Sequence, residues 1–297
     1  MDRPTRWFTL KDILLFLYLY VGRSLSWLPA PLLNLVRLFV DLAFQVLSLR
    51  RTSAIAEHMT LIFGPDKARV VRRRLVSCVV RRALDELVLE RGRDKPVCRS
   101  FVGREHLDEA LAAGRGVLLA GVHSQAGRVA RRYLNDAGYP YLSIREARIE
   151  PVVTSRLATV LAPRYAAFFR ALHGDDVVYA NDPERSLKML ARLRRNGIVG
   201  ILIDSGKPEH SMELPFLGWR RRFPAGVFYL ARAAGCPILP IFSRGGMQSL
   251  EIQIGPPLSL DRNLPADEFW RAHLPILVTI LEAQVLAHPE EFGWVRF

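Results

Sequence analysis

The chain has 297 residues, half of them hydrophobic, and a formal net charge of +13. This much apolar sequence supports a large buried core and excludes a disordered chain. The positive charge, carried mostly by arginine, predicts an anionic partner: phospholipid headgroups, an acidic carrier protein or nucleic acid. Three cysteines without metal-ligand spacing argue against a disulfide framework and favour a reducing compartment.

The N-terminal segment is apolar but interrupted. Residues 13–22 form an uncharged apolar run that ends at Arg23, and the next run, residues 24–36, contains two prolines. A spanning helix needs roughly 18–20 successive apolar residues, so we expect helices that lie in the membrane interface. The alternative is the hydrophobic first helix of a soluble domain. Asp12, which precedes the first run, argues against a signal peptide.

A longer helix is predicted over residues 66–91, with an apolar stripe on one side. Its other side is basic, and next to an apolar N-terminus it is expected to face anionic lipid. The arginines of this side are Arg72, Arg73, Arg74, Arg81 and Arg82. Residues 1–95 are therefore predicted to be a helical, membrane-associated region.

From residue 104 the pattern alternates between helix and strand. Helices are predicted at 104–113, 127–137, 182–197 and 224–235, and strands at 116–122, 139–144, 198–203, 238–242 and 250–254. Short apolar runs separated by amphipathic helices are typical of crossover connections in a parallel sheet. The predicted class for residues 96–297 is α/β, with a mainly parallel sheet flanked by helices.

Three polar residues follow predicted strands: His123, Arg145 and Asp204. Ligands of open α/β sheets bind outside the carboxyl ends of the strands, so we expect these side chains to lie at one edge. A base, a cation and a carboxylate together can activate a hydroxyl and hold an anionic headgroup. An isolated histidine after a strand is more often structural, and only the set of three makes a candidate site.

Three blocks of sequence carry a family resemblance. They are FVGREHLDEALAAGRGVLLAGVH (101–123), NGIVGILIDSGKPEHSMELPFLGWRRRFPAGVFYLARAAGCPILPIF (196–242) and HPEEFGWVRF (288–297). In this order they resemble the lysophospholipid acyltransferase superfamily, specifically its branch of bacterial lipid A (lauroyl/myristoyl) acyltransferases. The resemblance implies a glycerolipid-acyltransferase-like fold over residues 100–297, with a weaker likeness in the helical N-terminus.

The resemblance implies transfer of a fatty acyl chain from acyl carrier protein or acyl-CoA to a hydroxyl of a membrane glycolipid or lysophospholipid. His123 corresponds to the general base, Arg145 to an arginine that contacts an anionic group, and Asp204 to an acid that helps to place the acceptor. No metal or cofactor is expected. The expected partners are the acyl donor, an anionic lipid acceptor and the cytoplasmic face of the plasma membrane, bound peripherally or monotopically. Nucleic acid is not expected, because no recognisable binding module accompanies the arginines.

The chain departs from the family at the acid. The family places aspartate or glutamate five positions after the histidine, where this chain has Arg128. An arginine cannot accept the imidazole N–H, and its charge disfavours an imidazolium. Three interpretations stay open. The first is an active enzyme whose orienting group is Gln125, Glu146, Glu150 or Asp204. The second is an inactive homologue that binds lipid or acyl groups. The third is different chemistry with Ser124 as nucleophile.

Further candidate substrate contacts are Gln125 and Arg128 beside the histidine, and Arg220 and Arg221 farther along the chain. The latter two precede Pro224, where a helix N-terminus is predicted. Helix N-termini favour anions, so these arginines are expected to grip a phosphate of the carrier arm or of the acceptor. A solvated loop is the alternative.

Overall fold

The structure is a computed structural model. It describes residues 7–49, 54–92, 94–145, 155–173, 176–205 and 210–294. The α/β prediction is confirmed, since seven strands form one sheet with helices on both faces.

The sheet has the order β1-β9-β8-β2-β5-β3-β4. Its strands are β1 Cys98–Val102, β2 Val117–Gly121, β3 Tyr141–Arg145, β4 Val177–Tyr179, β5 Ile198–Leu202, β8 Ile238–Arg244 and β9 Leu250–Ile254. Five strands, from β8 to β4, are parallel. The other two, β9 and β1, pair parallel with each other and run opposite to β8. The central strand β2 is buried along its whole length, as its unbroken apolar run predicts.

Helices cover both faces of this sheet. They are α6 Arg104–Ala112, α7 Gly127–Asp136, α8 Arg156–His173, α9 Arg185–Arg194, α10 Gly226–Ala234 and α11 Ala266–Ala287. One face packs against α6 and α7 through residues such as Leu119 and Val129. The other packs against α9, α10 and α11 through residues such as Val199 and Phe228. A short 3-10 helix, Pro289–Glu291, follows α11.

The N-terminal region is helical, as predicted. Its elements are α1 Leu10–Phe16, a π-helical segment Leu17–Gly22, α2 Arg23–Leu25, α3 Ala30–Leu49, α4 Ala54–Phe63 and α5 Pro65–Arg91. In the described part of the chain, no helix combines the length and apolarity needed to cross a bilayer. Val71 and Leu75 of α5 join the core cluster of the α9–α11 face. The domain boundary near residue 95 stays a prediction.

The basic side of α5 is only partly exposed, whereas the sequence predicted that this whole side faces anionic lipid. Arg73 and Arg74 are exposed, but Arg81 is largely buried against Glu291. Arg82 lies near Glu86, one turn farther along the helix. The arginines at the C-terminal half of this helix therefore serve internal ion pairs, which the helical period alone does not reveal.

The predicted start of the helix at Pro224 was wrong. Residues up to Pro224 belong to β7 Trp219–Pro224, which forms an antiparallel hairpin with β6 Ser211–Phe216. The following helix, α10, begins at Gly226. Proline has no backbone N–H and is tolerated at the end of such a two-stranded ribbon. A proline at a helix start and a proline at a strand end look alike in sequence.

Candidate active site

His123 and Asp204 are brought together by the register of two neighbouring strands. β2 pairs with β5 over its full length, and Gly121 is aligned with Leu202, an offset of 81 residues. The pairing continues past both strands, because Ile203 donates its N–H to the Gly121 carbonyl at 2.9 Å. Two residues after each strand, the same offset aligns His123 with Asp204. The predicted meeting of these two residues at the carboxyl edge is confirmed.

Asp204 makes two hydrogen bonds to His123. Its Oδ2 accepts from the His123 backbone N–H at 3.0 Å, and its Oδ1 lies 2.7 Å from Nδ1 of the ring. A carboxylate accepts hydrogen bonds, so Nδ1 is the donor of this pair, and in the neutral ring Nε2 is the nitrogen with the lone pair. The Asp204 side chain is 1% exposed, whereas the His123 side chain is 23% exposed. The arrangement orients the imidazole with Nδ1 on the acid and Nε2 directed away from it.

The C-terminal segment 288–294 closes on the loop that carries His123. Gly293 donates its N–H to the His123 carbonyl at 2.8 Å, and Gln125 donates its own to the Glu291 carbonyl at 2.7 Å. Ser124 and Phe292 form an antiparallel bridge between these hydrogen bonds. The histidine loop is therefore held on one side by Asp204 and on the other by a strand-like segment more than 160 residues away in sequence.

Glu291 anchors that segment to the rest of the molecule. Its carboxylate is buried. Both carboxylate oxygens accept hydrogen bonds from Nη2 of Arg81 on α5, at 2.6 and 2.8 Å. The backbone N–H of Gly245, at the end of β8, donates to the same carboxylate at 3.0 Å. The buried carboxylate thus accepts three hydrogen bonds, two from Arg81 Nη2 and one from Gly245, and these fix the segment against the sheet edge. The sequence block 288–297 marked this segment, but not its contact with His123.

Arg128, at the position of the family's acid, is directed elsewhere. Its guanidinium pairs with Glu86 of α5 and lies over the ring of Phe169 of α8. Glu86 is buried, and without a cation its charge would be costly there. Arg128 thus joins α7 to α5 and α8, while the carboxylate that meets the imidazole comes from β5.

Comparison with known sequences identifies the family. Residues 2–296 match the profile described as bacterial lipid A biosynthesis acyltransferase. The chain belongs to this family. Phosphatidylinositol mannoside acyltransferases from two strains of Mycobacterium tuberculosis are each 31% identical to it over 144 residues. That stretch covers 48% of this chain and 43% of each relative, so the chain matches less than half the length of these curated relatives.

In this lipid A acyltransferase family member, Arg145 ends β3 on the side of the sheet that faces α7. Arg131 of α7 is buried there, above the ring of Tyr141, and donates to the carbonyl of Asp176 at 2.8 Å. Burial, together with the nearby Arg128 and Arg131, lowers the pKa of Arg145, although a guanidinium remains charged at neutral pH. The result is a concentration of positive charge next to the histidine edge.

The two hairpin arginines have different surroundings. Arg220 is exposed and pairs with Glu213 across the β6–β7 hairpin at 3.1 Å. Arg221 is partly buried, and burial lowers its pKa while the charge of Asp204 opposes this shift. Arg221 is therefore within electrostatic range of Asp204, whereas Arg220 lies on the solvent side of the hairpin. Neither belongs to the helix N-terminus that the sequence predicted.

Two neighbours of the histidine are not what the sequence suggested. Gln125 is 2% exposed, and its amide nitrogen donates to the Phe292 carbonyl at 3.0 Å. Its amide nitrogen therefore supports the C-terminal segment, and a contact of Gln125 with the imidazole or with substrate stays a prediction. The Ser124 hydroxyl bonds Ser243 at 2.9 Å, which directs it to β8 rather than to the imidazole. Glu146 and Glu150 lie outside the described residues.

Proposed function

We propose that this protein transfers a fatty acyl chain from a thioester to a hydroxyl of a membrane glycolipid, with His123 as the general base. The observation that carries the proposal is the 2.7 Å contact between His123 Nδ1 and Asp204 Oδ1. It supplies, from a different strand, the orienting acid that Arg128 displaced from the family's usual position. Asp204 therefore acts as the positioning acid of the pair.

The reaction follows from the orientation of the ring. Nε2 accepts the proton of the acceptor hydroxyl as its oxygen attacks the thioester carbonyl, and Asp204 stabilises the imidazolium that results. Collapse of the tetrahedral intermediate breaks the carbon–sulfur bond, and the thiolate takes the proton back from Nε2. The products are an ester and a thiol, so atoms and charge balance without metal or cofactor. The first turn of α7, which begins at Gly127, supplies a positive helix end for the developing oxyanion.

The charge around the site supports an anionic substrate. Arg145, Arg131 and Arg221 are buried or partly buried near the histidine edge, and we propose that Arg145 and Arg221 contact phosphate of the acceptor or donor. Arg128, paired with Glu86, contributes charge rather than direct contact. The donor is acyl carrier protein or acyl-CoA, both anionic and complementary to a chain of charge +13. By analogy with the mycobacterial relatives, the acceptor is a phosphorylated glycolipid.

The N-terminal helices support work at a membrane surface. Leu35, Leu38, Phe39 and Leu42 of α3 recur at helical spacing and are 49–63% exposed. An exposed apolar stripe of this kind is typical of an interfacial helix. We propose that the chain lies on the cytoplasmic face of the plasma membrane with this stripe in the interface, as a peripheral or monotopic protein.

The proposal is tested by transfer of radiolabelled acyl groups from acyl carrier protein and from acyl-CoA into a membrane lipid extract. The wild type should label a glycolipid, His123→Ala should label none, and Asp204→Asn should be slower by about 10³–10⁴-fold, as expected when an orienting acid is lost. Ser124→Ala is the matched control and should keep wild-type activity within a few-fold.

Two results would contradict the proposal. A wild type that binds lipid but transfers nothing, under conditions where a related acyltransferase is active, would mean a binding protein on this scaffold. Loss of activity in Ser124→Ala with retention in Asp204→Asn would point to the serine-based alternative. The identity of the labelled lipid names the acceptor.

A further inference from the structure

A cavity lies apart from the histidine edge. It has a volume of about 510 Å³ and is formed by the α2–α3 connection, one side of α5 and the loop between β8 and β9. His123 and Asp204 are not among its lining residues. Lining residues that matter here are Trp27, Leu33, Arg37, Arg81, Asp85 and Arg91. A volume of this order is typical of a small-molecule or headgroup site.

Two of the three arginines in this cavity are already neutralised. Arg81 holds Glu291, as described above, and Arg91 pairs with Asp94 and donates to the Ser26 carbonyl. Arg37 is different, since no ion pair of 4.0 Å or shorter joins it to any residue within the described ranges. Burial lowers the pKa of Arg37, although the charges of Asp85 and Asp41 oppose this shift.

The cavity also contains Asp85, whose carboxylate makes no ion pair of 4.0 Å or shorter in the part of the chain that the structure describes. Asp85 accepts a hydrogen bond from the backbone N–H of Met247 at 3.2 Å. Burial raises its pKa to about 6, although Arg37 and Arg81 lie near enough to oppose the shift. Gly246 allows the loop this close, because a Cβ there would lie 2.3 Å from the Asp85 carboxylate. The cavity therefore presents a cation on α3 and an anion on α5, neither of which makes an ion pair of 4.0 Å or shorter within the described residues.

The mouth of the cavity adjoins the apolar surface of the N-terminal helices. Trp27 lines the cavity and is also 52% exposed. Leu32, at the start of α3, is 49% exposed, and the α3 stripe continues from it. A ligand whose polar end fills the cavity can therefore place an apolar tail along this surface, as a lipid does.

We propose that this cavity binds the headgroup of a membrane phospholipid that carries both a phosphate and a protonated primary amine. Arg37 binds the phosphate and Asp85 accepts hydrogen bonds from the ammonium group. Buried charges are stable when each has a partner of opposite sign, and a headgroup of this type supplies both partners at once. The site is additional to the acyl-transfer site proposed above and does not depend on its chemistry.

The test is direct binding of dihexanoyl phosphatidylethanolamine, below its micelle concentration, to the full chain in mild detergent, measured by calorimetry. Dihexanoyl phosphatidylcholine is the comparison ligand, because its quaternary ammonium has no N–H to donate. The wild type should prefer the primary amine by about tenfold or more, the difference expected for a charge-assisted hydrogen bond. No acyl donor is present, so failure here is distinguishable from failure of acyl transfer.

Two variants and a control locate the binding. Arg37→Gln should weaken both lipids by about tenfold or more, whereas Asp85→Asn should remove the preference for the amine. Asparagine keeps the shape and the acceptor for the Met247 N–H, so this second variant stays informative if Arg37→Gln folds poorly. Arg74→Gln, which changes an exposed arginine on α5 outside the cavity, should bind like the wild type.

Three outcomes would overturn the proposal. One is equal binding of the two lipids by the wild type, and another is unchanged binding by Arg37→Gln. The third is competition by glycerophosphoethanolamine, which lacks tails, with the affinity of the lipid itself. That result would assign the cavity to a soluble metabolite instead of the membrane.

Discussion

Substitution of Gly293 by alanine tests whether the C-terminal segment positions His123. A Cβ at Gly293 would lie 2.9 Å from the Cβ of His123 and 3.2 Å from its carbonyl oxygen. Carbon atoms in ordinary contact are about 3.5–4.0 Å apart, so the two chains must separate by roughly 0.6–1 Å. The bond that holds them, from Gly293 N–H to the His123 carbonyl, is 2.8 Å long. The added methyl group must therefore displace the histidine loop, the C-terminal segment, or both.

The displacement acts on the contact that the proposed chemistry requires. A shift of this size in the histidine loop lengthens the 2.7 Å bond to Asp204 beyond normal hydrogen-bond range. Misplacement of a catalytic group by about 1 Å costs on the order of 10²-fold in rate. Gly293→Ala should therefore lower kcat by about 10- to 100-fold and change KM little, because the arginines proposed to bind substrate are untouched.

The assay combines steady-state acyl transfer with the proton NMR signal of Nδ1–H. In the wild type this proton should appear far downfield, as a proton shared with a carboxylate does, and it should be absent in Asp204→Asn. Gly293→Ala should weaken or shift this signal. The control is Gly226→Ala, since a Cβ at Gly226 meets nothing within 4 Å. A Gly293→Ala variant with kcat within twofold of wild type and an unchanged Nδ1–H signal would refute the reasoning.

Three further predictions concern Arg128, the cavity lined by Arg37 and Asp85, and the membrane surface. Arg128→Glu places a carboxylate beside Glu86, so it should lower the free energy of unfolding by about 2 kcal/mol in urea denaturation. The loss is smaller than for a fully buried pair because the Arg128 side chain is 30% exposed. A variant that is stable and more active would show that Asp204 is not the orienting acid. The pKa of Asp85 is raised from 3.8 to about 6, so the folded state retains a proton between these values and wild-type stability falls as pH rises through this window. Relative to wild type, Asp85→Asn should gain roughly 2 kcal/mol between pH 4 and pH 7, and parallel unfolding curves would contradict this. Leu38→Asp should reduce sedimentation with anionic vesicles by about tenfold or more. The control is Leu187→Asp, which changes an exposed leucine of α9 and should leave sedimentation unchanged. Equal effects of the two substitutions would argue against a membrane role for α3.

The central layout was predictable because its signals are local. Apolar runs without charge mark β2, β5 and β8, since only strands covered on both faces tolerate them. Polar residues directly after two such strands, His123 and Asp204, share an edge because the strands are parallel. The edge strands β1 and β4 and the hairpin were missed, since partly exposed strands lack that apolar signature.

The pairing that decides the chemistry was not predictable from local pattern. The sequence by itself determined that a histidine and several acids lie near one edge, and it left Asp204 as one of four candidate acceptors. The register between β2 and β5 decided the partner, because an offset of 81 residues aligns His123 with Asp204 and not with its neighbours. Register depends on the packing of both faces and on every crossover between the strands, which no short segment encodes.

The same reason applies to the remaining contacts of the site. That Arg128 neutralises Glu86, that Glu291 binds Arg81, and that Gly293 lies against His123 are all contacts between distant segments. Each buried charge needs a partner, and both the burial and the partner exist only once the helices and the sheet are assembled. The residue types and their order were determined by the sequence alone, and the tertiary structure decided which charges meet.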